Sequence, residues 1–327
     1  MRVTARPQYL LLNGELVPYE QARIHVLSSA FKYGMMVYEG LRAYWSASRE
    51  ELFGFRLDDH LRRLLRSMKV DHMQSGASVD ELRGQLLSLI RVNALREDLH
   101  MRVQAFVDED DGRIGATEPV SIAMAAMPMG RYFDKQGVHI QVSSWTRISE
   151  SDLPPRVKAS ANYHNSRLAL LQAKADGYDD AILLGPGGKV TEGPGYNVFM
   201  VRDGVLCTPP PTDGILEGIT RDTLIRIATQ ELVIPVAERS IDRTELYVAD
   251  EVFFCGSAAE VTPILSVDRH AVGNGSPGPI GRQLFERYTA IARAEGPDRW
   301  GWLIPVYGSA PRQVIGPADL PADAVKT

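Results

Sequence analysis

The sequence predicts an α+β protein with two domains, and three observations support this prediction. The chain has 327 residues, more than one ordinary domain needs, and its 24% charged and 44% hydrophobic residues are typical of globular proteins. Strand-like and helix-like apolar periodicities are mixed along the chain. The periodicity lapses over the polar segment RYFDKQG, which Gly137 closes. We therefore place a small α+β domain at 1–129, an interdomain loop at 130–137 and a large domain at 138–308.

The first domain is predicted to contain a hairpin, two amphipathic helices and two further strands. The hairpin turns at Asn13-Gly14, a pair typical of two-residue turns between strands. Leucines recur at helical spacing in both helices, which gives each helix one apolar face. In chain order the elements are the hairpin at 9–19, helices at 56–70 and 78–95, and strands at 101–107 and 120–127.

The second domain is predicted to alternate less regularly between strands and helices. Apolar runs rich in Val, Ile and Phe predict the strands, and amphipathic stretches predict the helices. Strands are predicted at 138–145, 181–185, 198–207, 233–238, 251–255 and 262–267, and helices at 164–177, 220–232 and 279–294. Residues 309–327 lack periodicity and are predicted to form a flexible tail.

Charge and cysteine content exclude several classes of function. The net charge of −5 leaves no basic excess for nucleic acid or an anionic membrane, so we expect neither as a partner. Cys207 and Cys255 form no CxxC pair, which is typical of a reducing cytosol. The N-terminal apolar stretch is too short for a signal sequence, and no apolar run is long enough to span a membrane. We therefore expect a soluble cytoplasmic protein.

Two local patterns imitate known motifs but fail on spacing. Gly185–Lys189 lacks the leading Gly of a phosphate-binding loop and the Ser or Thr after its lysine, so we interpret it as a hairpin turn. The acidic run Asp108–Gly112 has neither the ligand spacing nor the terminal Glu of a calcium loop. The 7 His are scattered and form no HExxH pattern, so we expect no metal site.

Three segments taken together indicate a family. They are KASANY at 158–163, TEGPGYN at 191–197 and LEGITR at 216–221, supported by VYEGLR at 37–42 and GSAAEVT at 256–262. With them the chain resembles the fold-type IV pyridoxal-phosphate-dependent aminotransferases, which have the D-amino acid aminotransferase-like fold, and specifically the branched-chain amino acid aminotransferases. The resemblance runs from about residue 9 to about residue 303, in order.

The resemblance implies that pyridoxal 5′-phosphate is the cofactor, bound by the large domain. Lys158 matches the catalytic lysine, whose amine condenses with the cofactor aldehyde and later moves the substrate proton. Glu192 matches the carboxylate that keeps the ring nitrogen protonated, which the cofactor needs to act as an electron sink. Tyr163 matches the tyrosine that contacts the phenolic oxygen of the ring.

The resemblance also assigns a phosphate site. Ile219 and Thr220 lie at the start of the helix predicted at 220–232, where amide groups and the helix dipole favour an anion. Ser257 and Arg63 match two further phosphate contacts. On the helical wheel, however, Arg63 falls away from the leucine stripe, so periodicity alone predicts a solvated side chain.

Substrate residues are assigned by the resemblance as well. The positions that match the side-chain and carboxylate pockets are Tyr38, Gly40, Arg102, Tyr132, Ala258 and Ala259. One position departs from the family pattern: His100 stands where the family has the tyrosine of a Tyr-x-Arg strand. That tyrosine helps to hold the substrate α-carboxylate, and relatives with unusual residues on this strand include enzymes that accept (R)-configured primary amines.

The resulting hypothesis is amino transfer between a branched-chain L-amino acid and 2-oxoglutarate or another keto acid, with activity on (R)-primary amines as an open possibility. The alternatives are an (R)-amine or D-amino acid transaminase, an aminodeoxychorismate lyase and a non-catalytic binding module. The pair Met35-Met36 and the run at 39–45 argue against the D-amino acid transaminase and the lyase. Lys158, Glu192 and Tyr163 argue against the binding module, because a scaffold needs none of the three. The resemblance further implies a homodimer or higher oligomer, with the turn at 108–115 near the partner's site.

Overall fold

The computed structural model describes residues 6–130 and 136–308. Most of the predicted interdomain loop and the whole predicted tail at 309–327 lie outside these ranges. The strands of the first part are β1 (Tyr9–Leu12), β2 (Glu15–Pro18), β3 (Met36–Ser46), β4 (Glu51–Phe55), β5 (Leu99–Val107) and β6 (Val120–Pro128). Its helices are α1 (Ser29–Tyr33), α2 (Leu57–Val70) and α3 (Val79–Val92).

The second part contributes eight described strands and three described α-helices, and one more described strand follows them. The strands are β7 (Val138–Thr146), β8 (Asp180–Leu184), β9 (Asn197–Arg202), β10 (Val205–Thr208), β11 (Val236–Glu238), β12 (Glu251–Gly256), β13 (Glu260–Val267), β14 (His270–Ala271) and finally β15 (Leu303–Pro305). The helices are α4 (Asn162–Ala175), α5 (Ile219–Gln230) and α6 (Pro279–Ala292). Short 3₁₀ helices lie at Tyr19–Gln21, Pro211–Asp213 and Arg243–Tyr247.

The first sheet has the strand order β15-β4-β3-β5-β6-β1-β2, and its neighbouring strands run antiparallel. The predicted β1–β2 hairpin is confirmed, and both residues of its turn, Asn13 and Gly14, have positive φ (52° and 82°), as such a turn requires. The helix α2 packs on β3 through the predicted leucine stripe, with Leu57, Leu61 and Leu64 buried.

The second sheet is mixed, with the strand order β11-β10-β9-β12-β13-β7-β8 and β14 added beside β13. The pairs β10–β11, β13–β7 and β7–β8 are parallel, and the other pairs are antiparallel. The helix α4 packs on β7 and β8, whereas α5 and α6 pack on β12. The predicted turn at Gly185–Lys189 is confirmed, since the Gly185 amide donates to the Lys189 carbonyl (2.8 Å). The two sheets with their helices confirm the predicted α+β class.

The C-terminal strand β15 joins the first sheet rather than the second. Its residues Leu303–Pro305 pair with Phe53–Phe55 of β4. An aromatic core then ties the two sheets together, because Tyr44 and Phe53 of the first sheet pack in one buried cluster with Phe199 and Phe253 of the second. These contacts hold the sheets side by side and leave a cleft between them. Within residues 6–130 and 136–308, no helix has the length and apolar character of a membrane span.

Candidate active site

A cavity of about 320 Å³ lies between the two sheets. One wall comes from β3, β5 and α2, and the other from α4, the start of α5 and the turn after β12. Among its lining residues are Tyr38, Gly40, Arg63, His100, Arg102, Lys158, Tyr163, Glu192, Ile219, Thr220, Ser257 and Ala258. Each was predicted as a site residue. Ala259 is buried beside this cavity without lining it, and Tyr132 lies outside the described residues.

Lys158 lies where the two walls of the cavity meet. Its carbonyl accepts a hydrogen bond from the Tyr38 amide (3.0 Å), and its own amide donates to Ser67 Oγ (3.2 Å). The side chain then crosses the cavity and brings Nζ within 2.5 Å of the Tyr163 hydroxyl. Burial lowers the pKa of the Lys158 amine. A lysine that loses its proton more readily is the kind that attacks a carbonyl group.

Glu192 is a buried carboxylate whose two oxygens are both engaged. Oε1 lies 2.7 Å from Nη2 of Arg147, and Oε2 accepts hydrogen bonds from Asn197 Nδ2 (3.0 Å) and the Leu216 amide (3.1 Å). Burial raises the pKa of Glu192, and the Arg147 guanidinium counteracts this rise. The Nε atom of Arg147 is buried and has no hydrogen-bond partner in the described part of the chain.

The opposite end of the cavity is built for an anion. The helix α5 begins there at Ile219, and within the described residues no side chain caps its first amides. Unpaired amides and the helix dipole together favour a negative group. Gly218 precedes the helix, and a Cβ at this position would lie 1.8 Å from Asn197 Oδ1. The close approach of strand β9 to this helix start therefore requires glycine.

Arg63 completes this end from the other wall. Its Nε and Nη2 atoms donate to the two carboxylate oxygens of Glu39 (2.6 and 2.9 Å), and Nη1 donates to the Glu217 carbonyl (2.7 Å). Periodicity alone predicted a solvated side chain, and that prediction was wrong. The side of α2 that carries Arg63 is covered by Glu39 of β3, so the guanidinium lies in the cleft between the sheets.

His60 extends this network to the second wall. Its Nδ1 atom lies 2.7 Å from Glu39 Oε2, and its Nε2 atom lies 3.4 Å from Ser257 Oγ. Both His60 and Glu39 are buried. Burial raises the pKa of the Glu39 carboxyl, but the Arg63 guanidinium and the hydrogen bonds from Arg63 and His60 outweigh it and lower this pKa to about 2. Sequence reasoning did not single out His60, although a polar ring on the leucine stripe of α2 is a signal that could have identified it.

His100 and Arg102 face the cavity from β5. In the β3–β5 register His100 stands opposite Arg42, and Arg102 stands opposite Gly40. A Cβ on Gly40 would lie 3.2 Å from Cε1 of His100, so glycine makes room for the imidazole. Burial, together with Arg102 and Arg42, lowers the pKa of His100 to about 3, and the ring is therefore neutral near pH 7. Its Nδ1 atom is buried without a partner among the residues described.

The arrangement joins an amine, a phenol and a carboxylate to an anion site inside one cavity. Arg147, Asn197 and Leu216 were not predicted, and all three hold the carboxylate of Glu192. In the described ranges, no group of three His, Cys, Asp or Glu side chains is placed to hold a metal ion. The cavity places the amine of Lys158 next to a phenol that can carry a proton.

Comparison with known proteins identifies the family. The family model described as Amino-transferase class IV matches residues 36–267. The branched-chain-amino-acid aminotransferase of Salmonella typhimurium is 40% identical over 311 residues, which cover 93% of this chain and 99% of that protein.

Solved structures agree with this assignment. The branched-chain aminotransferase of Thermoproteus uzoniensis, crystallised with norvaline, is 44% identical with a TM-score of 0.88, covering 92% of this chain and 100% of that one. The branched-chain amino acid aminotransferase of Thermobaculum terrenum in its PLP form is 42% identical with a TM-score of 0.87, covering 92% and 99%. The predicted fold and family are confirmed. The protein belongs to the class IV aminotransferases and is similar to their branched-chain amino acid aminotransferases.

Proposed function

We propose that this aminotransferase uses pyridoxal 5′-phosphate to move an amino group between a branched-chain L-amino acid and 2-oxoglutarate. One observation carries the proposal: the partly buried pair Lys158–Tyr163 lies in the same cavity as the carboxylate of Glu192 and the open start of α5. The relatives that are similar over most of the chain carry the branched-chain name, and this favours the substrate class.

The cavity fits the cofactor at each of its polar groups. Unpaired helix-start amides at Ile219 and Thr220, with Arg63, suit the phosphate. Glu192 suits the ring nitrogen, and the hydroxyl of Tyr163 suits the phenolic oxygen. Lys158 suits the aldehyde. When bound, the cofactor supplies an electron sink for the bond that breaks at the substrate Cα.

The side chains of this chain then manage charge and protons. Arg147, Asn197 and Leu216 hold the Glu192 carboxylate in place, so its negative charge faces the cavity at a set position. With the cofactor bound, the Nζ atom of Lys158 would accept the proton from the substrate Cα and deliver it to the former aldehyde carbon of the cofactor, which keeps the amino group. Tyr163, 2.5 Å from this nitrogen, keeps the amine oriented during both transfers.

Substrate recognition is assigned to the wall formed by β3 and β5. Arg102 lies with its guanidinium 5.7 Å from the centre of the Tyr38 ring, so a cationic and an aromatic surface adjoin there. This combination suits a carboxylate beside an apolar side chain. His100, in place of the family tyrosine, is neutral and carries no hydroxyl, which favours (R)-primary amines as a second substrate class.

A homodimer is proposed as the working unit. The segment with Leu27 and Phe31 adjoins the turn at 108–115, where Lys32 Nζ donates to the Gly112 carbonyl (3.4 Å). Phe31 and Ile114 on these two segments are 69% and 74% exposed. Adjoining exposed apolar side chains of this size are typical of a surface that a second copy covers. The turn would then lie at the boundary between the two copies.

Half-reactions followed by absorbance test the substrate proposal. The purified enzyme with its cofactor is mixed separately with L-leucine, D-alanine and (R)-1-phenylethylamine, and conversion of the pyridoxal form to the pyridoxamine form is recorded. We expect L-leucine to convert the cofactor fastest. Conversion by D-alanine or the (R)-amine alone would contradict the branched-chain assignment, and an enzyme that gains no visible absorbance with pyridoxal 5′-phosphate would contradict the cofactor assignment.

A further inference from the structure

A hydrogen-bond network with a buried centre at Glu39 and His60 links the two walls of the anion end. Arg63 of α2 donates to both oxygens of Glu39 on β3, and Glu39 Oε2 lies 2.7 Å from His60 Nδ1. The other ring nitrogen, Nε2, lies 3.4 Å from Ser257 Oγ on the second wall. Within this network, His60 is the residue that contacts both Glu39 and Ser257.

The number of hydrogens on each group determines which group donates and which accepts in each contact. Glu39 is ionised and can only accept, so Nδ1 of His60 must carry a hydrogen. A neutral imidazole carries one hydrogen, which leaves Nε2 as an acceptor. The hydroxyl of Ser257 must then donate to His60. In this state the Ser257 oxygen has no hydrogen left for an anion in the cavity.

A phosphate group bound beside Ser257 reverses the direction of the hydrogen bond between Ser257 and His60. Phosphate oxygens near pH 7 accept hydrogen bonds, so the Ser257 hydroxyl has to turn its hydrogen toward the phosphate. The Ser257 oxygen then offers only lone pairs to His60, and Nε2 needs a hydrogen of its own. We propose that His60 takes up a proton when the phosphate-bearing cofactor binds, and that the charged ring then positions the Ser257 hydroxyl on the phosphate. This inference rests on the cofactor proposed above.

The charged groups around His60 determine whether its pKa is raised or lowered. Glu39 from β3 favours the charged ring of His60, whereas Arg63 from α2 and Lys158, where the two walls meet, oppose it. Neutral His100 lies nearby on β5. Burial is the largest influence and lowers the pKa of His60 in the absence of a ligand. A phosphate adds negative charge at Ser257 and raises that pKa. Between the two pKa values, binding takes up a proton, and this contribution to affinity is lost as pH rises through the higher one.

Calorimetry with the apoenzyme tests the proposal. Pyridoxal 5′-phosphate is titrated in buffers of different ionisation enthalpy, which gives the number of protons taken up. The matched variant is His60→Gln, whose amide offers a hydrogen to Ser257 at the position of Nε2 but does not titrate. We expect the wild type to take up about one proton more than this variant, so that its affinity falls about tenfold more per pH unit across the transition. With pyridoxal, which lacks the phosphate, the two proteins should agree.

Thermal melting of the apoprotein and a second variant, Ser257→Ala, complete the experiment. If His60→Gln does not fold, as judged by thermal melting of the apoprotein, Ser257→Ala replaces it and should also reduce the proton uptake. Equal uptake by the wild type and the folded variant overturns the role of His60 and leaves the cofactor assignment standing. A wild-type protein that shows no saturable heat of binding overturns the cofactor assignment itself.

Discussion

Arg147 Nη2 lies 2.7 Å from Glu192 Oε1, and both side chains are only 6% exposed. The Coulomb attraction between two buried charges offsets the free energy lost when both leave water, but a single buried charge has no such compensation. The pair therefore decides whether Glu192 stays ionised in the cavity.

Removing this partner should destabilise the protein. For Arg147→Met we expect the free energy of unfolding of the apoprotein to fall by about 3–5 kcal/mol, because Glu192 is left as an unpaired buried carboxylate. Chemical denaturation followed by circular dichroism measures this change. The control is Arg156→Met, whose half-exposed contact with Glu217 should contribute about 0–1 kcal/mol. Similar losses in both variants would contradict the assigned role of Arg147.

Lys158 should be indispensable for turnover but not for folding. We expect Lys158→Ala to abolish amino transfer, since acid–base catalysis by one such group alone is worth about 10²–10⁴-fold in rate. The melting temperature should not fall sharply, because burial already disfavours the charged amine. Lys189→Ala, which removes an exposed lysine paired with Asp242, is the control and should remain active. Turnover by the Lys158 variant near the control rate would refute the assignment.

The neutral ring of His100 should shape the choice of keto acid. His100→Tyr supplies a hydroxyl that can donate to a carboxylate, and we expect kcat/KM for 2-oxoglutarate to rise relative to that for simple ketones by roughly 10- to 100-fold. Steady-state kinetics with both acceptors measure the shift. His100→Phe offers the same ring without the hydroxyl and should show no such gain. An unchanged substrate profile in the tyrosine variant would mean that this position does not contact the substrate.

The exposed apolar surface at Phe31 and Ile114 should hold two copies together. Ile114→Asp places a carboxylate in an apolar interface, at a penalty of several kcal/mol, so association should weaken by about 100-fold or more. Sedimentation velocity at micromolar concentration would then show a shift from dimer to monomer. Val233→Asp changes a residue that is 83% exposed and lies outside these two segments, and this variant should stay dimeric. A dimeric Ile114 variant would place the interface elsewhere.

Apolar periodicity predicted most of the helices and strands, because their positions depend on local alternation of apolar and polar residues. It failed for Arg63 because periodicity reports which face of a helix meets its own sheet and contains no information on a second layer. Glu39 of β3 already contacts this side of α2, and the segment around Glu217 covers it once the two sheets come together. The resemblance to a family supplied what the pattern could not.

Arg147 illustrates the part of the site that sequence reasoning could not reach. It follows strand β7 directly, as many surface arginines follow strands, and nothing in its neighbours distinguishes it. Its role arises from Glu192, which lies 45 positions later and reaches it only through the fold. Strand β15 was not predicted either, because a run of three residues is too short for periodicity to detect.

The pairing of β15 with β4 also has a consequence for biosynthesis. A ribosome releases β4 early, but the strand that covers its outer edge follows roughly 250 residues later, which takes on the order of 10–50 s at ordinary rates of translation. During that time the edge of β4 presents unpaired amide and carbonyl groups. The first sheet is therefore completed only after the second has been synthesised, and until β15 emerges the edge of β4 is open to pairing with other chains.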